Sequence, residues 1–111
     1  MEQLKKNKEF IVSYFNAISG VTKTRELIKK YVSDEGLIDH IEFFDAAFPG
    51  YELFIEEMTA EGNRVVVRAR TTGKHEGVLN GIPPTHKTMD VAFCIGYEIE
   101  DGKIIGKFAK I

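Results

Sequence analysis

The sequence predicts an α+β fold in which helices come first and pack on one face of a curled antiparallel sheet. Two observations carry this reading. Up to residue 48 the apolar side chains recur at helical spacing, and from residue 51 onward they alternate with polar ones. A third is Asp101-Gly102 between two alternating runs, a two-residue hairpin signal because both turn positions want positive φ.

The first helix is expected over residues 3–18, where Leu4, Ile11, Val12, Phe15 and Ile18 form one stripe that Phe10, Tyr14 and Ala17 widen. Lys5, Lys6, Lys8 and Glu9 mark its wet side, and Gly20 supplies a left-handed cap position. A second helix starts near Thr22 or Thr24, with Leu27, Ile28, Tyr31 and Val32 buried, and Ser33-Asp34-Glu35-Gly36 breaks it. A third is expected over residues 39–48, capped by Asp39, with Ile41, Phe44 and Phe48 at helical spacing, and Pro49-Gly50 stops it. Leu37-Ile38 reads as a short link between the two.

The strands follow. Tyr51, Leu53 and Ile55 alternate with Glu52 and Glu56, and Glu61-Gly62-Asn63 turns the chain. Residues 64–72 are rich in Val and Arg. Residues 73–87 are loop-like, since Pro83-Pro84 cannot sit in a central strand. A long strand is expected from Met89 to Ile99, and residues 103–111 return along it. No repeat, linker or low-complexity stretch divides the chain, so residues 1–111 read as a single domain.

Composition narrows the function. The chain has 15 Lys and Arg against 17 Asp and Glu, a formal charge of −2. A balance this close to neutral argues against a nucleic-acid partner, which calls for a basic surplus. No run approaches the ~18 apolar residues of a membrane span, and the N-terminus lacks a small-x-small cleavage site, so a cytoplasmic protein with no membrane partner is expected. Cys94 is the lone cysteine, which excludes an internal disulfide and a cysteine zinc cage. Eight Phe and four Tyr, with no Trp, are many aromatics for a small acidic chain.

Chemistry-bearing residues are few. His40 follows Asp39 and can serve as an acid or base near neutral pH, or merely cap a helix. His75, between Gly73 and Gly77, is a candidate polar pocket group, and His86 reads as a solvated loop residue. The three histidines lack ligand spacing, so no metal is expected. Arg64, Arg68 and Arg70 share one parity and could hold an anion. The preferred reading pairs them with Glu52, Glu56 or Glu57 on the preceding strand. Cys94 has no cationic neighbour in sequence and reads as structural. Phosphate-binding glycine motifs and a nucleophile elbow are absent.

The residues from Ala47-Phe48-Pro49-Gly50-Tyr51-Glu52-Leu53 through Gly73-Lys74-His75-Glu76-Gly77, Gly81-Ile82-Pro83-Pro84-Thr85 and Asp101-Gly102-Lys103-Ile104 resemble the SnoaL-like polyketide cyclase (ester cyclase) family of the nuclear-transport-factor-2-like superfamily. The resemblance covers about the last two-thirds of the chain. It implies a cystatin-like cone of three helices on a strongly curved sheet, with a central apolar pocket, no metal or organic cofactor, and a homodimer formed through the sheet. It also implies ring closure by aldol chemistry with a carboxylate on the last strand. In the family register that acid falls at Ala109, a supporting His falls at Ile95, and Lys107 stands at the usual His position. His40 matches the family's His after the second helix.

Three functional readings follow. The first is an apolar pocket for a small apolar or aromatic molecule, lined by Tyr14, Phe15, Phe44, Phe54, Phe93, Ile95, Tyr97 and Phe108, without the standard aldol route. The second is a metal-free cyclase, isomerase or lyase acting on a carbonyl compound, with His40 as acid/base and His75, Lys107 or Tyr97 assisting. The third is a non-catalytic dimerising module.

Overall fold

A computed structural model describes the backbone of residues 2–110 and the side chains of residues 2–108. The comparison of Ala109 with the family acid lies outside the described side chains. Three helices, α1 (Glu2–Ile18), α2 (Arg25–Ile28) and α3 (Glu35–Ala47), precede four strands, β1 (Glu52–Glu61), β2 (Arg64–Lys74), β3 (Thr88–Glu100) and β4 (Lys103–Lys110). The strands form one open antiparallel meander in the order β1-β2-β3-β4. This is the expected α+β layout, with the turn at Asp101 and Gly102 taking the two positive φ values, 51° and 73°, that its residues favour.

The sheet has unlike faces. Val65, Val67, Ala69 and Thr71 of β2 are buried, while Arg64, Val66, Arg68 and Arg70 between them are exposed. The inner face packs with Ile11, Phe15 and Ile18 of α1, Ile28, Val32 and Ile38 into one core. Register shifts at Ile55/Glu57 in β1, and at Gly96/Tyr97 and Glu98/Ile99 between β3 and β4, bend the sheet around that core.

Two helical expectations need correction. The second helix is one turn long, because residues 31–33 leave it to join β4. Ser33 donates its backbone N–H to Ile104 O at 2.9 Å, and Ile104 donates to Tyr31 O at 2.8 Å. The third helix begins at Glu35 rather than 39. Asp34 is its N-cap, its side chain accepting from Leu37 N–H at 2.9 Å, so the segment read as a breaker is a cap followed by a helix. Asp39 is therefore within α3, where it pairs with Arg25.

The outer face is an ionic lattice around apolar patches. Arg68 lies within 3.5 Å of Glu56 and Glu57, as the strand pairing suggests. Arg70 and Arg64 instead pair with Asp90 (2.9 Å) and Glu98 (3.7 Å) on β3. Among the described residues no helix is long and apolar enough to cross a membrane.

Candidate functional site

The helices do not fill the space above the sheet. A cavity of about 310 Å³ lies between α1, α3 and strands β1 to β3. Tyr14 and Ile18 line it from α1, and Leu37, His40, Ile41 and Phe44 from successive turns of α3. Tyr51 and Leu53, then Thr71, then Met89, Val91, Phe93, Ile95 and Tyr97, form its sheet wall. The alternate residues of β3 do this because a strand sends every second side chain to the same face. Val91 is 48% exposed and marks where the cavity meets solvent.

Of the residues expected to line a pocket, Tyr14, Phe44, Phe93, Ile95 and Tyr97 are in this wall. Three are not. Phe15, adjacent to Tyr14 on the helix, points about 100° away and fills the core, its ring 6.2 Å from Tyr97 and edge-on to it. Phe54 alternates with Leu53 and Ile55, so it lies on the outer face, 46% exposed. Phe108 lies at the β3–β4 register shift and turns outward, where its ring covers Gly96 and the Arg64 guanidinium stacks on it at 4.5 Å. Sequence reasoning missed the rest of the wall, including Ile18, Leu37, Tyr51 and Thr71. The inward parity of Leu53, Met89 and Val91 with Phe93 is the signal that could have found three of the missing residues.

Three of the polar residues in the cavity wall are phenols, Tyr14, Tyr51 and Tyr97. Tyr14 and Tyr97 meet with their rings edge-to-face, centroids 5.9 Å apart. Burial pushes both hydroxyls well above the ordinary tyrosine range, and the neighbouring phenols modify the shift. Tyr51 is also pushed up, first by burial and then by the Asp45 charge. All three therefore stay protonated and act as neutral hydrogen-bonding groups.

Behind Tyr51 is a buried ion pair that no sequence pattern announced. The Lys23 side chain is fully buried, and its Nζ lies 3.5 Å from Asp45 Oδ1 and 3.8 Å from the centre of the Tyr51 ring. The ammonium also donates to Val21 O at 3.0 Å and Tyr51 O at 2.8 Å. Burial lowers the Lys23 pKa, and Asp45 opposes that shift.

The histidines separate. His40 is half-buried in the cavity wall, its ring stacked on Phe44 at 6.2 Å. Phe44 stacks on Phe48 at 4.9 Å, and Phe48 on His75 at 5.2 Å. The four rings form a column along one side of α3, with His40 at the cavity end and His75 at the far end. His75 is thus outside the cavity. Its Nδ1 accepts the Thr85 backbone N–H at 3.3 Å and lies 3.0 Å from Thr85 Oγ1.

The Gly-Lys-His-Glu-Gly segment is a docking device. A Cβ at Gly77 would lie 2.0 Å from the Ala46 carbonyl oxygen, and the backbone N–H groups of Glu76 and Gly77 both reach Ala47 O. Only glycine allows that approach. Lys107 pairs with Tyr97 across β3 and β4 but is exposed on an edge strand, outside the lining. Cys94 is half-buried, and its strand partner Arg68 places it on the outer sheet face. Among the described residues no three His, Cys, Asp or Glu side chains converge as metal ligands.

With this geometry in place, the comparisons with known proteins are specific at the family level. A chain assigned to the SnoaL-like polyketide cyclases from Jannaschia sp. CCS1 is 25% identical and superposes with a TM-score of 0.78, over 93% of this chain and 83% of that one. AclR of Streptomyces galilaeus, assigned as a hydroxylase, superposes at 0.79 with 21% identity, over 97% and 75%. A protein of ketosteroid isomerase-like fold from Catenulispora acidiphila, in complex with trimethylamine, superposes at 0.66 with 14% identity, over 89% and 82%. The last two likenesses concern the fold. No curated relative matches the chain. The model of the SnoaL-like polyketide cyclase family matches residues 10–109, and the chain belongs to that family.

Proposed function

We propose that this protein binds a small, uncharged, largely apolar or aromatic molecule in the cavity, oriented by the tyrosine hydroxyls. The observation that carries the reading is the cavity itself: about 310 Å³, apolar on most sides, with three buried, neutral phenols. That volume is at the small end of the ~300–1,000 Å³ typical of small-molecule sites. Charge supports a neutral ligand. The lining holds no Lys or Arg, and the ammonium behind Tyr51 is already paired. A buried carboxylate would lose its hydration with no Lys or Arg in the lining to offset the loss.

Tyrosine emission offers a direct test, because the chain has no Trp and three of its four Tyr line the cavity. Titration with 1-naphthol should perturb that emission, and 1-naphthoate should bind more weakly. Tyr97→Phe should weaken naphthol binding about fivefold, the worth of one hydrogen bond. An emission unmoved by naphthol and by other neutral compounds of its size would overturn the reading.

A second reading is favoured by one observation: His40 shares the cavity with the phenols. A carbonyl compound hydrogen-bonded to a tyrosine could there lose an α proton to the imidazole. The polyketide cyclase name carried by the family and by the Jannaschia relative points to the same substrate class. His75 and Lys107, outside the lining, take no part. Exchange of α protons into D₂O, abolished by His40→Ala, is the expected result.

The homodimer remains a proposal of ours, supported by the exposure of Phe54, Val66 and Phe108 on the outer sheet face.

A further inference from the structure

Lys23 and Asp45 form the one buried ion pair among the described residues. Burying two charges is costly, and well-packed apolar side chains often serve stability as well. The placement of this pair is therefore informative. Asp45 accepts the backbone N–H groups of Lys23 (3.2 Å) and Gly50 (3.0 Å), so its position is fixed by the chain. The ammonium is held by Asp45, Val21 O and Tyr51 O, directly over the Tyr51 ring. Lys23 itself does not line the cavity, whereas Tyr51 does. Tyr51 shares the cavity lining with the other two buried phenols, Tyr14 and Tyr97.

A cation on a ring is attracted by the π density and polarises it toward itself. The remainder of the ring is then less electron-rich, and in a dry site such effects are weakly screened. A contacting ligand ring gains when it is electron-rich and loses when it is electron-poor.

We propose that Lys23 is a specificity-determining residue: acting through Tyr51, it makes the cavity prefer an electron-rich aromatic ring bearing a donor oxygen over an electron-poor ring of the same size. The inference rests on the pocket reading above and deepens it. Lys23 is a positioning residue, since it acts only through Tyr51.

The test compares 1-methoxynaphthalene with 1-nitronaphthalene, two neutral ligands of similar size, on the full chain labelled with 3-fluorotyrosine. The Tyr51 fluorine resonance is assigned with Tyr51→Phe. The wild-type chain should bind the methoxy compound roughly three- to tenfold more tightly. The double variant Lys23→Met/Asp45→Asn removes both charges and leaves no lone buried ion, and the side-chain amide it introduces keeps an acceptor for one of the two backbone N–H groups. It should bind both ligands with nearly equal affinity. An unchanged ratio in that variant, even with both affinities reduced, overturns the proposal and leaves the pocket reading standing. An absence of preference in the wild-type chain does the same without any variant. Binding of neither ligand to the wild-type chain overturns the pocket reading, and this proposal with it.

Discussion

A Cβ placed on Gly77 would sit 2.0 Å from a backbone oxygen of α3, while one on Gly96 would meet the far end of the Phe108 ring at 2.3 Å. The two clashes differ in consequence. Phe108 is 39% exposed and can swing aside, but Ala46 O belongs to a helix and cannot. Gly77→Ala should therefore cost about 2–3 kcal/mol, as overpacking that also breaks the loop's hydrogen bonds to Ala47 O. Gly96→Ala should cost about 1 kcal/mol or less. Urea unfolding curves of the two variants check the order. The buried phenols set a pH dependence. Tyr14, Tyr51 and Tyr97 have folded pKa values above the ordinary 10.0, so above about pH 10 the unfolded chain has lost protons that the native chain retains. The slope of stability with pH is then negative, and their contribution, complete below about pH 10, is lost as pH rises through that range. Lys23, with its pKa lowered by burial, is destabilising below its ordinary pKa, where the unfolded chain holds its proton more tightly, so it works in the opposite sense. It is one group against three. The midpoint in urea should fall steeply between about pH 9.5 and 11, and the tyrosinate absorbance contributed by Tyr14, Tyr51 and Tyr97 should grow together with unfolding.

The elements show which local signals survive packing. The alternation in β2 and β3 became the inner and outer faces of the sheet without change, because period-two order leaves a strand only one way to bury its apolar side. Helical spacing was less decisive. Leu27, Ile28, Tyr31 and Val32 look like a helix stripe, yet once the Tyr31 and Val32 N–H groups have closed on Ile28 O the chain leaves the helix, and Tyr31 O and the Ser33 N–H bond to Ile104 of β4 instead. The outer sheet face carries the dimer proposal. Phe54, Val66 and Phe108 form apolar patches among Arg–Glu and Arg–Asp pairs, a mixture suited to an interface with a polar rim. Light scattering should give twice the monomer mass for the wild-type chain. The double variant Phe54→Glu/Val66→Glu should be monomeric with its helix content intact, and a persistent dimer in that variant would exclude this face.

At the scale of the whole molecule, the class of fold and the family were readable from residue order. Periodicity separates helix from strand without reference to the rest of the chain, and the Asp101-Gly102 turn and the Gly77 approach need particular residues wherever the chain places them. Part of the wall was readable too, since Tyr14, His40, Phe44, Phe93, Ile95 and Tyr97 lie on faces that must turn inward. Side-chain chemistry alone could not sort the rest. Phe15, Phe54 and Phe108 are as apolar as Phe93, and only helix direction, strand parity and a register shift assign them to core or surface. His75 and His40 are the same side chain at opposite ends of a ring column, one packed against a docked loop and the other facing open space. Lys23 is the clearest case. It stands between two threonines with no local pattern, and its partner is 22 residues away. Its burial against Asp45 and Tyr51 exists only because the chain after α1 and the chain after α3 meet beside the first strand. The sequence by itself determined the helices-then-meander order, the inward face of each long strand and the family. Tertiary structure alone decided which inward groups enclose a cavity and which close-pack, because a void is a property of the distances between elements, and no single segment encodes them.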